Sequence, residues 1–214
     1  MINFFKWAWL FFLQIMVLFF IYPSDWVHNA TEQERLGLLQ ELGPDTHNFI
    51  INNANSMFNR TMIDSGFYQM LHDHVIPNEE QLARDAETGF AGFGKLWFDY
   101  LESRLESMFR LIYFMMVRYF HLLVWLPYAL ILLAPAVWDG YQQWRIKCNS
   151  FEYTSPTIHS YSFLAIKFML AASIMVFLLP VALPVFLFPG LLLVIVFLSG
   201  ITVSHFPKKV TGGV

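Results

Sequence analysis

This chain reads as an all-α, polytopic membrane protein with four transmembrane helices and a helical extracytoplasmic domain between spans one and two. It is 57% hydrophobic and only 14% charged over 214 residues, whereas a soluble domain of that length is nearer half apolar and about a quarter charged. Its apolar residues gather into runs of membrane length, and its charge gathers between two of them. Residues 23–107 hold 14 of the 16 acidic residues but five of the 13 basic ones, a net −9. That stretch has no basic patch, so no direct nucleic-acid binding is expected. The single cysteine, Cys148, excludes an internal disulfide and any multi-cysteine zinc or iron–sulfur site.

The first apolar run, 4–22, is packed with Phe and Trp and is as long as a span. The nearest small residue after it, Ala30, follows Val27-His28-Asn29, a poor cleavage site, so 1–22 is expected to stay as an anchor rather than leave as a signal peptide. Residues 23–110 then form an acidic helical domain. Thr31 with Glu34 three residues on matches a capping box, so a short amphipathic helix is expected over 31–42, ended by Gly43-Pro44. Apolar positions at helical spacing (Phe49, Ile50, Met57, Phe58, Met62) predict helix within 45–75, and a further helix is expected to run unbroken from about Phe93 into span two.

Span two is assigned to 111–137. Leu111 to Ala136 is 26 residues, about 39 Å of helix against a hydrocarbon core of about 30 Å. Counting back from Trp138 and Asp139 therefore puts Arg118 at the outer headgroup level, where it can snorkel. The alternative is a buried functional pair of Arg118 with His121, on the same helical face. A cytoplasmic loop, 138–162, follows. The 42-residue run 162–203 is twice a bilayer crossing and is interrupted by Pro180, Pro184, Pro189 and Gly190, so the hairpin 163–204 is expected to hold spans at about 163–182 and 186–204, with a tail at 205–214. Lys6, Arg145, Lys147, Lys208 and Lys209 fall on one side; the positive-inside rule makes that side cytoplasmic, with both termini, and leaves 23–110 on the far side.

Chemistry-bearing patterns are sparse. His72-Asp73-His74 lacks the spacing of a helical metal site, and no P-loop, dinucleotide fingerprint or nucleophile elbow occurs. No catalytic, cofactor or metal site is expected. Arg145 and Lys147 sit where anionic headgroups would attract them, and Lys167 near the inner end of span three is expected to snorkel.

The stretch "APAVWDGYQQWR" followed by "FEYTSPTIHSYS" and a hydrophobic hairpin resembles an uncharacterised family of integral membrane proteins, about 200 residues long, encoded with the conjugative-transfer genes of plasmids and integrative conjugative elements. Within about 134–167 the resemblance rests on Trp138, Asp139, Gly140, Arg145, Ser155, Pro156 and His159. It implies an inner-membrane location and the type IV secretion pathway, and carries over no catalytic residue. The expectation is a non-enzymatic accessory or scaffold. Its partners would be membrane lipids and other conjugation proteins, such as a coupling ATPase or secretion-channel subunits. Arg118, His121, Lys147 and the seven residues just named are the candidate contacts. A small transporter or channel, with Arg118, His121 and Lys167 lining a polar path, is the alternative, and a hydrolase using His72 and His74 a third.

Overall fold

The computed structural model describes Trp9, Leu13 and residues 24–75, 91–150 and 155–207; the expected first span, apart from those two positions, lies outside the described residues, as do Lys6, Lys208 and Lys209. The described chain is helical, with no strand. Among the described residues five helices can be followed end to end: α1 (Ser24–Phe58), α2 (Phe67–Val75), α3 (Ala91–Asn149), α4 (Pro156–Phe177) and α5 (Leu187–Ser204), with a π-turn at Asn59–Ile63. Of these, α3, α4 and α5 are long and apolar enough to cross a membrane. Contacts divide the chain into two units, one of residues 1–120 with 177–185, the other of 121–176 with 186–214.

In the first unit, α1 is two helical segments joined at Gly43, whose φ of 79° and ψ of 169° are open to glycine alone among common residues. The bend is sharp. Glu34 meets Arg118 of α3 and Phe58 meets Tyr113 of α3, yet a straight helix would separate Glu34 and Phe58 by about 36 Å and Tyr113 and Arg118 by only about 8 Å. The expected break at Gly43-Pro44 is therefore present, and it folds both halves of α1 against one stretch of α3. The capping box is not. The helix is already running at Ser24, so Thr31 Oγ1 donates to Val27 O (2.7 Å), one turn back, and Glu34 faces inward. Its buried face is Val27, Ala30, Glu34 and Leu38, continued beyond the bend by His47, Ile50 and Ala54, the spacing of one helical stripe. From α3 the core receives Leu105, Phe109, Phe114 and Val117, and from the segment after α4, Leu178 and Val185. Tyr68 of α2 lies against Phe109, ring centres 4.6 Å apart.

In the second unit α4 runs antiparallel to α5, because His159 near the start of α4 bonds Thr202 O (2.8 Å) near the end of α5. The C-terminal half of α3 runs parallel to α5: His121 meets Phe188, Gly140 meets Gly200, and Lys147 reaches Ser204. Large apolar side chains such as Phe168 and Phe197 point outward from α4 and α5. A helix that is apolar all round needs either protein or lipid around it.

Two expectations are corrected here. The span-length helix over 163–182 starts earlier, at Pro156, and stops at Phe177. Ser155 Oγ accepts the Ile158 N–H (3.4 Å) as an N-cap with Pro156 at the first helical position, and Pro180 disfavours helix before it. The loop over 138–162 is also mostly helix: 138–149 complete α3 and 156–162 open α4. Arg145, Lys147 and the aromatic residues around them do not break a helix.

Candidate functional site

The chain between α4 and α5 is not helical, and this creates the problem that the site solves. Pro180 and Pro184 have no N–H, so the segment 178–186 carries more backbone acceptors than donors. Buried carbonyls without partners cost free energy, most of all where no water reaches them. Arg118 of α3 supplies the donors. Its Nη1 donates to Phe177 O (3.0 Å) and Leu179 O (2.7 Å), and Nη2 to Val181 O (2.6 Å). Phe177 ends α4, so the cation also sits at the negative end of a helix dipole.

Glu34 of α1 completes the arrangement. Arg118 Nε donates to Glu34 Oε1 (3.1 Å) and Nη2 to Oε2 (2.8 Å), a two-point carboxylate contact of the kind arginine's fork favours. Glu34 Oε2 also accepts the Leu183 N–H at 3.0 Å. Trp26 of α1 donates its indole N–H to Pro180 O (2.8 Å), and the Phe114 ring lies 4.0 Å from the guanidinium carbon. Arg118 is 0% and Glu34 3% exposed. Every N–H of the guanidinium thus has an acceptor, and the pair ties α1, α3 and the irregular segment together. The expectation that Arg118 snorkels to headgroups is overturned: it lies level with the turn, but the protein provides its solvation. Glu34 had only a capping pattern to signal it; an unmatched arginine in an apolar run was the better pointer to a missing acid.

Arg118 belongs to the first unit and His121 to the second. His121 is buried there: Trp125 Nε1 donates to its Nε2 (3.2 Å) and Phe188 packs edge-on, 5.4 Å between centroids.

The remaining candidates separate by environment. Gly140 is buried where α3 crosses α5, and a Cβ there would collide with Gly200 O; one on Gly200 would come 3.0 Å from Ala136 O. This is small-residue packing of apolar helices. Lys147 Nζ donates to Ser204 O (3.4 Å), the last residue of α5, and to His205 Nε2 (3.3 Å), a cation at a helix C-terminus. His159 stacks on Phe163 and meets Phe206 edge-on. Ser155 and Pro156 start α4. Trp138, Asp139 and Arg145 are exposed: Asp139 accepts from Gln143 Nε2 (2.7 Å), and Arg145 lies 6.0 Å from the Tyr141 ring. The side chains of His72 and His74 lie outside those described.

Residues 25–208 match the family described as IncC plasmid conjugative DNA transfer protein DtrJ-like. No curated protein and no solved structure matches the chain. The match extends the resemblance around 134–167 across the described helices, Glu34 and Arg118 included, and the chain belongs to the DtrJ-like family of plasmid conjugative DNA transfer proteins.

Proposed function

We propose that this protein is a non-enzymatic accessory component of the conjugation apparatus, resident in the bacterial inner membrane and acting through protein contacts. Family membership carries the proposal. Three apolar helices support the membrane location, and the distribution of Lys and Arg supports cytoplasmic termini with 23–110 in the periplasm. The commitment of every Arg118 donor to Glu34 and to backbone carbonyls supports a structural role for that charge over a conducting or catalytic one. Contact with a coupling ATPase or a secretion-channel subunit would fall to exposed side chains, Trp138 and Arg145 above all. Deletion of the gene from a donor carrying its native plasmid, with complementation, tests the reading. Loss of transconjugants restored by the complementing copy is expected; undiminished transfer would overturn it.

A further inference from the structure

We infer that the first segment of α1 lies in the headgroup layer of the bilayer, and that the cavity between it and the α4–α5 turn holds the headgroup of a phospholipid. Three contacts set α1 alongside that turn. Trp26 Nε1 donates to Pro180 O (2.8 Å), Glu34 Oε2 accepts the Leu183 N–H (3.0 Å), and a Cβ on Gly37 would lie 3.5 Å from Val185 Cγ2. Successive residues of α1 therefore meet successive residues of the turn. The turn begins at Phe177, where α4 ends, and delivers the chain to Leu187, where α5 starts. Both helices are long and apolar enough to cross a membrane, so what runs along the turn that joins them runs along the membrane surface. Apolar exposure continues up to it, at Ile174, Val181 and Phe186, which suits lipid and not water. Interfacial helices ordinarily hold on by an apolar face of their own; here the Arg118–Glu34 pair and the Trp26 bond hold the segment in place.

The chemistry of the cavity chooses the occupant. It measures about 300 Å³ and is lined by Trp26, Asn29, Ala30 and Gln33 of α1 and by Val181 and Ala182 of the turn. Asn29 and Gln33 are exposed and one helical turn apart, so both carboxamides can donate to the phosphate or ester oxygens of one lipid. Val181 and Ala182 offer an apolar wall to its glycerol and first acyl carbons. Among the described residues, none that lines the cavity is charged. A free phosphate would find no cation there to hold it, whereas a lipid is retained by its acyl chains and needs only to be oriented. Arg35 projects from the other side of α1, where it pairs with Glu32 at 3.6 Å. The inference rests on the membrane location proposed above.

The test uses the full chain in nanodiscs of zwitterionic phospholipid, with a short diazirine side chain in place of Gln33, Arg35 or Ile174, three exposed positions. Mass spectrometry reads the adducts after irradiation. Phospholipid adducts are expected at Gln33 and Ile174, and none above the unirradiated control at Arg35. Asn29→Asp, an exposed and nearly isosteric change that sets a carboxylate against the phosphate, is expected to bring the adduct at Gln33 down to background and leave that at Ile174 unchanged. No adduct at Gln33 while Ile174 is labelled would overturn the inference and leave the membrane location standing. No adduct at either would overturn both. Equal labelling at Gln33 and Arg35 would overturn the inference, as would an adduct at Gln33 to residues 4–22 or to a second copy of the chain in place of lipid. So would indifference to Asn29→Asp, because lipid would then reach Gln33 without filling the cavity.

Discussion

At the scale of single residues, the chain turns on a pair that the sequence half discloses. Arg118 stands out because no other charge lies between Leu111 and Val137. Glu34 does not stand out, since it is one of many acids and no local pattern says that it points inward, 84 positions away from its partner. Removing one member of a buried ion pair strands the other, at a cost of about 3–5 kcal/mol, while removing both costs much less than the two singles combined. Arg118→Leu is thus expected to destabilise the first unit by about that amount and Glu34→Leu nearly as much. Because the turn carbonyls also lose their donors, the double variant stays well below wild type. Unfolding of the four proteins in detergent would measure the cycle. Strict additivity would mean that the two side chains do not interact, and a stable Arg118→Leu protein would return Arg118 to the headgroups. Arg118→Lys should recover only part of the loss, because an ammonium cannot reach a carboxylate and three carbonyls in one fork.

At the scale of elements, what was legible depended on whether the signal was local. The break at Gly43-Pro44 and the range of α5 can be read from short stretches of sequence, because proline and glycine act on their own backbone. The ends of α3 and α4 cannot. Polarity suggests a loop at 138–149, yet those residues continue α3 beyond the apolar run. Gly140 serves a helix crossing, with its partner Gly200 some sixty positions on. That assignment makes a graded prediction. A methyl on Gly140 meets backbone that cannot yield, whereas one on Gly200 is only tight, so Gly140→Ala should cost about 1–3 kcal/mol and more than Gly200→Ala. Thermal unfolding in detergent would rank them. Equal and negligible costs would mean that the two helices do not meet at these glycines.

At the scale of the whole molecule, length constrains how the chain meets a bilayer. The 59 residues of α3 amount to about 88 Å of helix, against about 30 Å of hydrocarbon, so most of that helix lies in water, headgroups or protein wherever it crosses. The stretch free of charge other than the internally solvated Arg118 is 111–137, which is the part suited to lipid. With Arg145 and Lys147 at one end of it and the acidic residues of 24–75 before the other, the proposed topology sets Ser65 in the periplasm and Ser150 in the cytoplasm. Both residues are exposed, so each can be exchanged for cysteine in a Cys148→Ser background without disturbing a core. A membrane-impermeant maleimide added to intact spheroplasts should label Ser65→Cys at once and Ser150→Cys only after permeabilisation. The reverse pattern would carry consequences beyond orientation. It would place the acidic stretch 24–75 in the cytoplasm. It would also remove Trp138 and Arg145 from any cytoplasmic partner.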